Sequence, residues 1–280
     1  MRNYKVEKNL KSTIIYIFMI VFALIAVVPV WIMLINATRN TAQINEGLAI
    51  LPSSHALDNW RVLTGRGFML SQGFRNSLII SVLATACCVY FSALCAYGIH
   101  IYTFKGKRLL WTVVMMLIML PASLSFIGFV QFMSRIHLMN SFIPLIIPSI
   151  ASAGTVLFMK QYLESILSLE LIEASRIDGA GEFRIFNQIV LPVIKPALAT
   201  QAIFSFVANW NNFMTPFVLL SSTEKYTLPM LVQMLRGDIY RTEYGGIYLG
   251  IAVSLIPIII FYIFMSRFII SGLTMGSVKE

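Results

Sequence analysis

The sequence predicts an all-α integral membrane protein that crosses the bilayer six times, and three observations predict it. Of its 280 residues, 58% are hydrophobic and 12% charged, against about 45–50% and about 25% in soluble domains. Mean hydropathy is +0.80. Six stretches, 13–35, 77–98, 109–131, 142–159, 197–220 and 247–266, contain no Asp, Glu, Lys or Arg. A helix satisfies its own backbone polar groups and needs about 20 residues to cross a core of about 30 Å. Each stretch therefore reads as one span. The same numbers exclude a disulfide scaffold, with 3 Cys in a long chain, and a disordered chain, which needs far more charge.

The first span, 13–35, follows Arg2, Lys5, Lys8 and Lys11 in the tail 1–12. It exceeds the apolar core of a signal peptide and no A-x-A site follows it, so it reads as a retained anchor. The second, 77–98, holds Cys87, Cys88 and Cys95 on one helix, which speaks against a disulfide. Ala84, Cys88, Ser92 and Ala96 recur every four residues there, a small-residue ridge that lets another helix approach closely. The short loop 99–108 carries Lys105, Lys107 and Arg108. Pro144 and Pro148 blur the start of the fourth span, and Pro29, Pro121, Pro216 and Pro257 each favour a kink. Thirteen of the 21 Lys and Arg fall in 1–12, 99–108, 160–196 and 267–280. Lys and Arg concentrate on the cytoplasmic side, so both termini are predicted there. This asymmetry accounts for the net charge of +9 without a nucleic-acid partner.

The spans carry no ionisable carboxylate or amine of the kind that proton- and sodium-driven pumps place in the membrane. His55, His100 and His137 are scattered over different loops, and there is no H-E-x-x-H, no metal-spaced Cys pair, no G-x-S-x-G and no G-x-x-x-x-G-K-[ST]. Uphill movement of a solute would need energy from another subunit. Asn209, Asn211 and Asn212 surround Trp210 inside the fifth stretch, and three amides cannot all face lipid cheaply. Two readings stand: hydrogen bonds between helices, or a polar lining for a hydroxyl-rich solute by Asn209, Trp210 and Asn212.

The segment 160–196 is the longest on the predicted cytoplasmic side and holds 9 of the 33 charged residues. Its run Glu164–Asp178 lacks Gly and Pro and predicts a helix. Gly179 and Gly181 end it. Phe183, Phe186 and Ile189, spaced by three, predict a second short helix with one apolar face, closed by Leu191-Pro192. The product is a helix–turn–helix with apolar surface to bury, either against its own spans or against a partner.

These residues also resemble a known pattern. Glu173-Ala174-Ser175, then Asp178-Gly179-Ala180, then Ile189-Val190-Leu191-Pro192 is similar to the EAA motif of ABC importer permeases, with Ser175 for the second Ala. At average residue frequencies the six motif matches recur by chance at about one start in 10⁷. Leu57-Asp58-Asn59-Trp60, Asn76-Ser77, Ala96-Tyr97, Trp210-Asn211-Asn212-Phe213 with Pro216, Thr227-Leu228-Pro229 and the tail from Gly272 to Lys279 resemble the carbohydrate-uptake branch, in its maltose-permease-like half. Glu280 departs from the glycine common at that end.

The resemblance implies a six-helix permease fold with cytoplasmic EAA coupling helices, in the cytoplasmic membrane of a bacterium. It implies four protein partners besides the lipid bilayer: a second homologous permease chain, two ABC ATPase subunits and an extracytoplasmic sugar-binding protein, with no nucleic acid. The chain would be no enzyme and bind no cofactor, ATP and Mg acting on the ATPase. Glu173, Ala174, Ser175, Asp178, Gly179, Ala180, Ile189, Leu191 and Pro192 would form the ATPase-coupling site. Glu173 would pair with a basic residue of the ATPase or, on a local reading, with Arg176. Segments 36–76 and 221–246 would meet the binding protein or serve as connectors. An ABC permease for a polyamine, amino acid or phosphate compound is the alternative; a membrane-embedded enzyme or channel is remoter.

Overall fold

Residues 2–65, 69–235 and 243–276 are described by a computed structural model, and they contain helices and no strand. In chain order the helices are α1 (Arg2–Asn36), α2 (Thr41–Asn45), α3 (Ala56–Gly65), α4 (Leu70–Ile101), α5 (Lys107–Met119), α6 (Ala122–Arg135), α7 (Ile143–Ile146), α8 (Ala153–Ile166) and α9 (Leu169–Ile177). There follow α10 (Glu182–Arg184), α11 (Leu191–Val193), α12 (Lys195–Trp210), α13 (Met214–Leu219), α14 (Leu228–Met234) and α15 (Tyr244–Gly276).

Among the described residues, four helical stretches are long and apolar enough to cross a bilayer alone: Ser12–Asn36, Leu70–Ile101, Ile143–Ile166 and Tyr244–Ile269. A fifth, Glu182–Val193 with Lys195–Trp210, is bent by 81°. The stretch 109–131 is not one helix. Leu120 is extended (φ −75°, ψ 129°) ahead of Pro121, because the proline ring forces the preceding residue out of helical geometry. The resulting α5 and α6 have 13 and 14 residues. The stretch 197–220 is likewise divided, since α12 ends at Trp210 and α13 begins at Met214. Pro29 and Pro257 lie inside continuous helices.

The chain forms two compact units. One comprises 1–70 and 231–255, the other 71–230 and 256–280. In the first, the most apolar window of α1 has 0% of its residues buried, as expected of a helix whose neighbour is lipid or another chain. Beyond α1 a hydrogen-bonded knot ties the outer segments together. Arg39, 7% exposed, donates to Asn36 Oδ1 (3.2 Å) and to the carbonyls of Gly47 (2.8 Å) and Gln43. Asn59 Nδ2 donates to the carbonyls of Ala37 (2.8 Å) and Arg39 (2.9 Å). The start of α15 presses against this knot at Gly245, where a Cβ would lie 2.3 Å from the Arg39 carbonyl oxygen.

In the second unit the small ridge of α4 is buried as expected: Ala84, Cys88, Ser92 and Ala96 are 0–5% exposed. Cys88 Sγ lies 3.5 Å from Thr155 Oγ1 of α8, and Lys160 of α8 sits 4.6 Å over the Trp111 ring of α5. Two of the motif segments meet each other here. Asn76 Nδ2 donates to the carbonyls of Glu224 and Tyr226 at 2.9 and 3.0 Å, and Leu228 N donates to Ser77 Oγ at 2.9 Å. The basic side chains at 2, 5, 8 and 11 and the tail from Gly272 to Lys279 lie outside the side chains described.

Candidate coupling site

The segment 160–196 folds as a helix pair, with two departures from expectation. Glu164–Asp178 is two helices. Leu167, 4% exposed, leaves helical geometry (φ −97°, ψ 107°), and Ser168 caps α9 by accepting from Leu171 N. Serine competes poorly in a helix interior and well at its start. Phe183 is also off the buried face, at 76% exposed, whereas Phe186 is 1% exposed. The cause is a change of winding: between α10 and α11, residues Ile185–Val190 form a wide π turn, with Leu191 N donating to the Phe186 carbonyl five residues back. Pro192 follows. It has no N–H and crowds the carbonyl four residues earlier, which the wider turn relieves.

Between the helices the backbone closes as glycine allows. Gly179 has φ +79°, Ala180 N donates to the Ser175 carbonyl and Gly179 N to that of Arg176, both at 3.0 Å. This is a Schellman closure, with a left-handed residue just past the helix. Gly181, extended, starts α10.

The pair has two unlike faces. Ile172, Ile185, Phe186, Val190 and Ile194, each 0–1% exposed, pack in one cluster with Ala93, Ala96 and Tyr97 of α4 and Met159 and Leu163 of α8. Ser175 is 7% exposed and donates to the Leu171 carbonyl at 2.6 Å. Ile189 and Leu191 are half-buried at the edge. On the other face Glu173, Ala174, Asp178 and Pro192 are exposed, beside Ile177 (86%) and Phe183 (76%).

A polar lock joins the two helices to the loop after α4. Arg176 Nε donates to Glu182 Oε1 at 2.7 Å and the Tyr102 hydroxyl donates to Glu182 Oε2. The Arg176 guanidinium carbon lies 5.8 Å from the Tyr102 ring centre. The hydrogen bond from Arg176, then that from Tyr102, holds the Glu182 carboxyl below its ordinary range. Burial, then the bond to Glu182, raises the Tyr102 phenol. The local Glu173–Arg176 pair is not formed; Arg176 is engaged by Glu182, and Glu173 has no ion-pair partner among the described residues.

The three pathway candidates are placed differently. Trp210 is 1% exposed and packs on Phe206 (ring centres 5.8 Å, 19°) and Phe74 (5.5 Å, 79°). Asn209, half-buried, donates to the Ser205 carbonyl at 2.8 Å. Asn212, half-buried, accepts from Thr215 N and donates to Thr215 Oγ1, both at 3.2 Å, at the start of α13. The bonds of Asn209 and Asn212 are local rather than between helices.

Several helices long and apolar enough to cross a membrane, with a folded, two-faced helix pair between them, give the class of a multi-pass membrane protein. The chain belongs to the family described as binding-protein-dependent transport system inner membrane component, whose profile matches residues 89–274. It is similar to the arabinooligosaccharides transport system permease protein of Bacillus subtilis, 30% identical over 266 residues and 94% of each chain. It also resembles the lactose transport system permease protein of Rhizobium radiobacter (28% identity, 98% of each chain). A third relative is the trehalose/maltose transport system permease protein of Thermococcus litoralis, 28% identical over 98% of this chain and 99% of that one. The fold matches a chain in the crystal structure of a bacterial ABC transporter involved in the import of the acidic polysaccharide alginate, with TM-score 0.78 and 23% identity over 92% of this chain and 96% of that chain.

Proposed function

We propose that the chain is the permease subunit of an ATP-binding-cassette importer that moves a sugar or oligosaccharide inward by alternating access. The relatives' named solutes, arabino-oligosaccharides, lactose and trehalose or maltose, support the substrate class. So does the absence of fixed charge from the six stretches, since a charged solute favours compensating charge along its route. Six crossings with both termini cytoplasmic, a second homologous permease chain, two ATPase subunits carrying ATP and Mg, and an extracytoplasmic sugar-binding protein complete the reading.

The observation that carries it is the two-faced helix pair. Its inner face is locked into the cluster with α4 and α8, so a push on the outer face is passed to the spanning helices as rigid displacement. Its outer face leaves Ile177 and Phe183 in solvent, a cost that a docked partner removes. Glu173, Ala174, Asp178, Gly179 and Ala180 form or border that face; Ser175, Ile189, Leu191 and Pro192 hold its shape. Asn209 and Asn212 are the polar groups beside the solute route, with Trp210 as their packed support.

The test is uptake by proteoliposomes holding the whole importer, with ATP inside and binding protein outside. Accumulation of a labelled oligosaccharide is expected. Uptake of a polyamine or amino acid with no sugar transported would overturn the substrate class.

A further inference from the structure

The chain between α2 and α3 is apolar where a water-exposed loop would be polar. It reads Gly47-Leu48-Ala49-Ile50-Leu51-Pro52-Ser53, and Leu48, Ile50 and Leu51 are 84%, 76% and 78% exposed. Three sets of hydrogen bonds fix its height against α1. At one end the Gly47 carbonyl accepts from Arg39 Nη1 at 2.8 Å. In the middle the Ile50 carbonyl accepts from the Trp31 indole Nε1 at 3.2 Å. At the other end Ser53 N donates to Thr38 Oγ1 at 2.8 Å, and His55 N to the Thr38 carbonyl at 3.0 Å.

The loop therefore leaves the level of Arg39, descends beside α1 to the level of Trp31, and climbs back to Thr38. Trp31 lies five residues inside the end of α1 at Asn36, a depth of about 7.5 Å at the rise of an α-helix. It also lies within the uncharged stretch 13–35. Measured from the end of an apolar helix, such a depth matches the headgroup–acyl boundary, where amphipathic elements bury apolar side chains about 5–10 Å and where Trp is enriched. Gly47, at φ +120°, makes the downward turn. Glu46 before the dip and His55 and Asp58 after it return the chain to water.

We infer that residues 48–51 are an interfacial anchor, with Leu48, Ile50 and Leu51 inserted into the outer rim of the bilayer beside α1. The occupant is lipid because the Trp31–Ile50 hydrogen bond holds the loop beside α1 at a level inside the uncharged stretch 13–35. The anchor would fix the height of the Arg39–Asn59 knot and of α3 above it. The inference needs only that α1 spans the membrane, and is independent of the solute and of the coupling site.

The test uses the complete importer in lipid nanodiscs. A bimane fluorophore is placed at Ile50→Cys and, as a water-facing comparison, at Asn45→Cys, with signal from unsubstituted protein subtracted. Acyl-chain-brominated phospholipid is expected to quench the label at 50 at least twofold more than that at 45, with aqueous iodide giving the reverse order. Iodide quenching at 50 without bromolipid quenching would place the loop in water and overturn the inference. Quenching by neither would mean that protein covers the loop, which also overturns it. The uptake assay, run on the same preparation, reports separately on the proposed transport function.

Discussion

Arg176 and Glu182 face each other across the turn at Gly179, Nε to Oε1 at 2.7 Å, and so join the end of α9 to the start of α10. Tyr102 holds the second carboxylate oxygen of Glu182, which adds the loop after α4 to the same contact. Both charged side chains are 40–48% exposed, so solvent screens the pair and its contribution to stability is small. Its value is geometric.

A pH dependence follows from the lowered Glu182 carboxyl. A group whose folded pKa lies below its ordinary value of 4.5 stabilises the fold above that value, and the contribution is lost as pH falls through the folded pKa. Thermal unfolding of the wild type and Glu182→Gln is expected to differ by about 1–2 °C or less near pH 7, in the wild type's favour, because the pair is screened by solvent. The difference should shrink as pH falls below 4.5 and through the folded pKa of Glu182. A difference that grows in acid would contradict the assignment.

Gly179 separates conformation from bulk. A Cβ there meets nothing within 4 Å, yet φ is +79°. Asn tolerates that region and Val does not. Gly179→Asn should retain most transport. Gly179→Val should cost about 1–2 kcal/mol locally and cut transport per ATP hydrolysed several-fold while the chain still inserts. Equal transport per ATP in both variants would count against a role for the turn in coupling.

Gly245 makes the opposite case, bulk without strain. A Cβ would lie 2.3 Å from the Arg39 carbonyl oxygen and 2.4 Å from Asn59 Oδ1, so Gly245→Ala should lower stability by about 1–3 kcal/mol, the usual range for overpacking. A thermal-shift assay of the detergent-purified chain reads this directly, and an unchanged midpoint would refute the close approach.

The inner and outer faces of the helix pair should respond differently. Phe186→Ala, deep in the cluster, should cost about 3–5 kcal/mol and reduce yield. Phe183→Asp and Ile177→Asp, on exposed positions, should leave yield unchanged and reduce recovery of the ATPase in pull-downs of the assembled importer. Full ATPase recovery with both Asp variants would contradict the docking face.

Much of this was legible in the residues. The charge-free stretches pick out the apolar helices, whole or divided, and the run Glu173 to Pro192 picks out the two-faced helix pair. The breaks were less so. Leu120 before Pro121 looks like a kink in a list of residues, and only the extended ψ of Leu120 makes it an interruption. Ser168 reads as one polar residue in a helical run until Leu167 is seen to be buried. Phe183 and Phe186 share a face by α-helical spacing, which the wide turn after Arg184 cancels. Contacts distant in sequence carried no local sign. Tyr102 meets Glu182 eighty residues on, and Asn76 meets Tyr226 at a separation of 150. Composition alone does not distinguish an aromatic that lines a solute route from one packed, as Trp210 is, on Phe74 and Phe206.

The claim that the outer face of the helix pair receives the ATPase is tested most directly by a photo-crosslinking amino acid at Phe183 in the intact importer. Irradiation should give a single covalent adduct of this chain with the ATPase subunit, and the same group at buried Phe186 should give none. Adducts at 183 with lipid or with the second permease chain, and none with the ATPase, would contradict the account.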